Sequence, residues 1–348
     1  MGRPPPRASN VQDYWTALPP TGARLRAARS GSLAKPREDL AAAHGLVYST
    51  WTEDRMDIGL ALGGGGARGL AHIGVLKVLE REGVRIRALA GTSIGGIIGA
   101  AYAAGYGPDR IQAVAESASI RELLRGRPQG PGLMGIDRVE EFLHGILEER
   151  TFADLRLPFA VTAADLNSGE AIVLQEGIVA HAVLATIALP GIFPPQVMGD
   201  HRLIDGGALD PVPVRPVRRL GGSPVVASVL SPERSQWSEN RSPSLAARLP
   251  GVEILMRLRP GQALMVFQEY MEIASRTYTE TRLEIDRPEV IVRPAVWRVG
   301  LLDDPSVAEM SALGVRAMES MLPALREQFS LGRRVARALR PPPGGRSA

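Results

Sequence analysis

Four consecutive glycines, Gly63-Gly64-Gly65-Gly66, stand between an apolar run and a helical pattern, and few folds accept such an interruption. Ahead of them residues 58–62 are a short apolar run of strand type. Behind them residues 71–82 carry Ile73, Leu76 and Leu79 at helical spacing and stop at Gly83. Residues 86–90 are strand-like again and lead through Gly91-Thr92-Ser93 into a helical stretch over 94–104. Strand, helix, strand, helix in this rhythm predicts right-handed crossovers on a mostly parallel sheet. A glycine turn at such a junction leaves its N–H groups unobstructed along the dipole of the next helix, a place for negative charge.

That charge need not be a phosphate. A phosphate loop wants Gly-Lys followed by Ser or Thr, whereas Arg68-Gly69-Leu70 follows here. A dinucleotide site wants an acidic residue closing the second strand, and Gly91-Thr92-Ser93 occupies that place. Gly91-Thr92-Ser93-Ile94-Gly95 is a G-x-S-x-G between strand and helix, the arrangement that holds a serine hydroxyl outward on a sharp turn. Its plain alternative is a small-residue helix start. A third segment, Leu203-Ile204-Asp205-Gly206-Gly207, releases an aspartate from an apolar strand into a Gly-Gly turn. Taken alone, Asp205 reads equally as an Asx-type turn residue.

Together the three segments resemble the patatin-like phospholipases, particularly their compact bacterial branch. The resemblance rests on Gly64-Gly65-Gly66-Ala67-Arg68-Gly69, on the elbow from Gly91 through Ser93 to Gly95, and on Asp205-Gly206-Gly207. Ala71-His72-Ile73-Gly74-Val75-Leu76 and Ala188-Leu189-Pro190-Gly191-Ile192-Phe193-Pro194-Pro195 are similar to the family as well. It implies a three-layer α/β/α fold with a mostly parallel central sheet. It also implies a Ser–Asp dyad: Ser93 attacks an acyl ester carbonyl and Asp205 accepts its proton. The N–H groups of Gly64, Gly65 and Gly66 would stabilise the oxyanion, with Arg68 adding positive charge nearby. Neither metal nor cofactor is called for. Asp210 stands where many members carry Asn, and a second carboxylate there is expected to raise the pKa of Asp205.

Histidine tests the dyad against a Ser–His–Asp triad. The chain has His44, His72, His144, His181 and His201, of which His72 and His201 lie nearest the motifs in sequence. Cysteine is absent, which removes disulfides, thiolate metal sites and a cysteine nucleophile.

The 348 residues divide into a Pro-containing basic extension over 1–50, a hydrolase domain over 56–330 with its motif-bearing core at 58–214, and a basic tail over 331–348. The extension carries a net charge of +4 and the tail +5, leaving −5 for the body, so the basic character belongs to the ends and nucleic-acid binding by the body loses its support. The tail places Leu331, Val335 and Leu339 among arginines, the pattern of a short helix that either makes peripheral contact with an anionic membrane or packs back onto the body. Residues 159–164, 171–174, 202–204, 225–229 and 289–292 are expected as strands. Residues 178–188 are expected as helix, 254–281 as helix broken near Pro260-Gly261, and 231–250 as an exposed loop. Residues 88–107 are the nearest approach to a membrane span, but their glycines favour a turn and a packed helix, and a cytoplasmic location is expected.

The leading expectation is a hydrolase of phospholipid or lysophospholipid acyl esters. Three rivals remain: a general esterase, thioesterase or acylglycerol lipase using the same residues, an idle lipid-binding regulatory protein that keeps the fold, and a nucleotide-binding protein.

Overall fold

The computed structural model describes residues 56–118, 120–123, 132, 134–233, 259–330 and 332. The extension over 1–50, the tail over 331–348 apart from Gly332, and loop residues 234–250 lie outside the described residues, as do the expectations placed on them.

Among the described residues eight strands form one sheet: β1 (Asp57–Leu62), β2 (Arg85–Thr92), β3 (Phe159–Asp165), β4 (Ala171–Leu174), β5 (Gln196–Met198), β6 (His201–Asp205), β7 (Val225–Ser228) and β8 (Val290–Val292). Pairing runs β5-β6-β3-β2-β1-β7-β8, with β4 also on β3. The β1–β2, β1–β7, β2–β3 and β7–β8 pairs are parallel, while β3–β4, β3–β6 and β5–β6 are antiparallel. The first crossover helix, α1 (Ala71–Arg81), follows a 3-10 turn over Gly66–Leu70, and α2 (Ile94–Ala103) follows β2. Further helices are α3 (Pro108–Ser117), α4 (Ile120–Leu123), α5 (Asp137–Leu147), α6 (Val179–Thr186), α7 (Val214–Arg219), α8 (Arg259–Asp286) and α9 (Val307–Glu327).

The central strands are buried on both faces, as a sheet between two helical layers requires. Ala61, Ala88 and Ala90 face one layer with Val214 and Val217 of α7 and Leu283 of α8. Gly99 of α2 lies against Leu89 and Phe159 on the opposite face. This is the three-layer α/β/α arrangement with a largely parallel centre. Burying a side chain such as Leu60, which is fully enclosed, contributes about 2 kcal/mol.

Residues 88–107 divide between the end of β2 and α2, as their glycines suggested, and no helix among the described residues is long and apolar enough to cross a membrane. The stretch expected over 254–281 is helical from Arg259 onward as α8, while the residues ahead of Arg259, on which the expected break near Pro260-Gly261 depends, lie outside the described residues.

The register of β3 places the two candidate residues Ser93 and Asp205. Ala163 and Ala164 pair with both β4 and β6, so those two strands lie on opposite edges of β3. Val161 and Thr162 pair with both β4 and β2, so β2 shares the β6 edge. Thr92 therefore ends β2 opposite Thr162, and Asp205 ends β6 opposite Ala163, one step further along the same strand. Two strands arriving head to head bring Ser93 and Asp205 together from 112 residues apart.

Candidate active site

Ser93 sits between β2 and α2 with φ 55° and ψ −125°, a left-handed conformation that a non-glycine residue holds only when its surroundings impose it. The glycines around it make the corner passable. A Cβ on Gly91 would lie 2.2 Å from the Gly95 carbonyl oxygen, and one on Gly95 would lie 2.2 Å from that of Leu62. Any side chain at either position would push the elbow off the sheet.

The Ser93 hydroxyl donates to Asp205 Oδ2 at 2.5 Å, and Asp205 Oδ1 accepts from the Gly207 N–H at 2.7 Å. Asp205 is buried, and burial pushes its carboxyl up to about 6 against the opposing pull of the Ser93 and Gly207 hydrogen bonds. Asp210 is not a cause of that rise, contrary to the expectation from its chemistry. Its carboxyl faces Arg282 instead, with Oδ1 3.5 Å from Nη2, and burial raises it to about 7.

The glycine loop lines the same cavity, of about 840 Å³, that holds Ser93 and Asp205. Gly66 has φ 55°, and a Cβ there would lie 2.1 Å from the Leu301 carbonyl oxygen. Gly64, expected as an oxyanion donor, gives its N–H to Pro211 O at 3.0 Å instead. The N–H groups of Gly65 and Gly66 have no acceptor among the described residues.

Arg68 is buried. Its Nε donates to Val299 O at 2.6 Å and its Nη2 to Glu272 Oε1 at 2.9 Å, so its positive charge is matched by Glu272 on α8. The rest of the cavity is largely apolar, with Ile97, Ile187, Phe193, Leu209, Leu230 and Met271 among its walls.

Neither candidate histidine is hydrogen-bonded to the dyad. His72 is fully buried, with Nδ1 2.9 Å from Ser228 Oγ and Nε2 2.9 Å from Gly63 O. Burial pushes it down to about 4, leaving a neutral ring that donates from Nε2 to Gly63 and accepts from Ser228. His201 opens β6 at the end away from Asp205, where its ring meets Asp165 Oδ2 at 3.0 Å. That contact foremost, with the Asn167 and Arg202 N–H groups and the Ser168 hydroxyl, holds Asp165 well below the usual carboxylate range. Among the described residues no group of three or more metal-ligating side chains gathers.

Three buried threonines beneath the elbow carry no signal in the sequence. Ser93 N–H donates to Thr186 Oγ1 at 2.9 Å, and that hydroxyl donates to Thr162 O at 2.5 Å. Thr162 Oγ1 lies 2.7 Å from Thr92 Oγ1, which donates to the Asp210 carbonyl at 2.8 Å.

A family model for patatin-like phospholipase matches residues 60–218, which span the glycine loop, the elbow and Asp205. Over these residues the chain matches the patatin-like phospholipase family. An uncharacterised NTE family protein of Mycobacterium tuberculosis is 33% identical over 193 residues, covering 55% of this chain and 53% of that one. A second from the same organism is 31% identical over 281 residues, covering 77% and 46%. The lysophospholipase NTE1 of Candida albicans is 31% identical over 180 residues, covering 49% of this chain and 13% of that one. This patatin-like chain spans about half the length of the mycobacterial relatives it matches.

Proposed function

We propose that this patatin-like protein is a serine acyl hydrolase that cleaves phospholipid or lysophospholipid esters through an acyl-enzyme. The observation that carries the reading is the 2.5 Å contact between Ser93 Oγ and Asp205 Oδ2 in a largely apolar cavity. Ser93 Oγ attacks the acyl carbonyl carbon while its proton passes to Asp205 Oδ2. The carbonyl electron pair moves onto oxygen, and the N–H groups of Gly65 and Gly66 receive that oxyanion. On collapse the ester C–O bond breaks, and the leaving alcohol takes the proton from Asp205. Water then attacks the acyl-enzyme and gives a proton to Asp205. The second collapse releases the fatty acid and returns that proton to Ser93. Gly64 and Arg68 act by shaping the loop: Gly64 ties it to Pro211, and Arg68 ties it to Glu272 and Val299.

Choice of a lipid substrate is supported by the apolar walls and by the Candida relative's name as a lysophospholipase. The basic ends, net +4 over residues 1–50 and +5 over 331–348, fit peripheral contact with an anionic leaflet. Deleting 331–348 should weaken binding to phosphatidylserine vesicles while hydrolysis of a soluble ester persists.

The central test incubates mixed phospholipid and neutral-lipid vesicles with wild type and Ser93→Ala, and follows released fatty acid and lysolipid by mass spectrometry. Release by wild type alone supports the reading and names the lipid class. Equal release by both overturns Ser93 as nucleophile. Release from neutral lipid alone keeps the dyad and replaces the substrate.

A further inference from the structure

We infer that Thr186 is a positioning residue for this reaction, its hydroxyl setting the distance between nucleophile and base. The inference rests on the Ser93–Asp205 reading and goes beyond it.

The elbow has a problem that its glycines do not solve. Ser93 holds φ 55°, so its own N–H is turned into the protein rather than into α2, and a buried donor needs an acceptor. Thr186 Oγ1 supplies it at 2.9 Å. The residue is fully buried, and Gly96 of α2 leaves room for its methyl, since a Cβ there would come 2.8 Å from Thr186 Cγ2. A hydroxyl that accepts one bond must still place its hydrogen, and Thr186 donates to the Thr162 carbonyl at 2.5 Å.

Thr162 is where the two catalytic strands meet. It pairs with Thr92 at the end of β2, and its neighbour Ala163 pairs with Asp205 at the end of β6. Its carbonyl also packs on the turn after the base, since a Cβ on Gly206 would lie 2.2 Å from that oxygen. The Thr186 hydroxyl thus joins the Ser93 backbone to the strand position that fixes Asp205. It holds the elbow down on that strand so that the 2.5 Å contact forms without searching. The same bond occupies the Ser93 N–H, which leaves oxyanion binding to the N–H groups of Gly65 and Gly66.

Valine and serine separate this role from packing. Thr186→Val keeps the shape, but removes both the acceptor and the donor. Thr186→Ser keeps both and loses only a methyl. Each is compared with wild type and Ser93→Ala on a soluble p-nitrophenyl ester, with melting temperature as the folding control. The rate of labelling by a fluorophosphonate is read in parallel.

The expected result is a fall of about 100-fold in kcat and in labelling rate for Thr186→Val, KM within about threefold, and recovery to within about fivefold in Thr186→Ser. Wild-type kcat in folded Thr186→Val overturns the inference, and so does equal impairment of the two variants, which would mark a packing role. Where Thr186→Val does not fold, Thr186→Ala is read in its place against the serine rescue. Full activity in Ser93→Ala would instead overturn the nucleophile itself.

Discussion

The floor of the cavity and the wall facing it are held by different forces. On the floor, Ser93 and Asp205 stand on strand ends joined by backbone pairing and by the hydroxyls of Thr92, Thr162 and Thr186, all three fully buried. No charged side chain other than Asp205 takes part in those bonds. The wall is α8, and it is tied down by ions: Glu272 to Arg68 at 2.9 Å, Asp286 to Arg215 at 2.6 Å, and Glu280 to Arg293 at 2.9 Å. Short neutral hydrogen bonds in a fixed register define one geometry for chemistry. Paired charges instead fasten a long helix at separate points, and breaking a buried one from one side is costly.

The largest effects should come from the floor. Ser93→Ala and Asp205→Asn are each expected to lower kcat on the order of 10⁴-fold or more. Their stabilities should diverge from that loss. Burial raises Asp205 from 3.8 to about 6, so the fold favours its protonated form. The resulting stabilisation is present below the unfolded value and is lost as pH rises towards 6, by on the order of 3 kcal/mol. A neutral amide at this position carries no such penalty, so Asp205→Asn should melt at or above the wild-type temperature at pH 8. The proposed mechanism requires an ionised base, so kcat/KM should climb about tenfold per pH unit below about 6 and level off above it. A profile flat through pH 6 would remove Asp205 as the base.

Next comes the joint between floor and wall. Arg68 is only 4% exposed, and its loss leaves Val299 O without that donor and Glu272 with Arg276 alone. Arg68→Met should destabilise by about 3 kcal/mol in urea unfolding, the cost of breaking a buried pair from one side. Activity should fall less than in the dyad variants, by roughly 10- to 100-fold, because the donors on Gly65 and Gly66 lose support rather than vanish. Loss equal to that of Ser93→Ala would make Arg68 part of the chemistry.

A smaller effect is expected at His72, the pillar under Gly63. His72→Gln can still donate to Gly63 O and should keep kcat within about tenfold, whereas His72→Ala should lose more. The ring is depressed to about 4, so its contribution to stability is complete above the unfolded value of 6.5 and is lost as pH falls towards 4. In His72→Gln that acid-side loss should shrink, as read by melting temperature between pH 4.5 and 7. Inactive but folded His72→Gln would reopen the triad.

The same division explains what is legible in the sequence. The floor is written in residues with single purposes: glycines where a Cβ would strike backbone, a serine at positive φ, and an aspartate at a strand end. β1, β2, α1 and α2 accordingly fall within one or two residues of their expected limits. The threonines are invisible because threonine in an apolar run reads as ordinary strand or helix filler; their roles depend on the register of β3, which no local pattern encodes. Gly64 departs from its expected role for a similar reason, since its acceptor Pro211 lies far along the chain. The wall leaves still less trace. Its ion pairs join residues as distant as Arg68 and Glu272, and α9 packs on α1 through Gly314 against the Ala71 carbonyl, a contact visible only once both helices are in place.

Asp210 lies where the two regions touch, and it should give the smallest effect of all. Its backbone belongs to the floor, because its carbonyl accepts from Thr92 Oγ1 at 2.8 Å and from Thr162 Oγ1 at 3.3 Å. Its side chain belongs to the wall, where Oδ1 is buried beside Arg282 with no hydrogen-bond partner among the described residues. Burial outweighs the attraction of Arg282 and raises the carboxyl to about 7, so at alkaline pH the ionised group burdens the fold. Asp210→Asn removes that charge and leaves the carbonyl in place. Arg282 keeps Asp286, 2.9 Å away. The variant should hold kcat within about twofold and lose less stability than wild type between pH 5 and 8, followed by melting temperature. A fall in kcat beyond about tenfold would show that charge on the wall governs the floor, and the separation drawn between them would then be wrong.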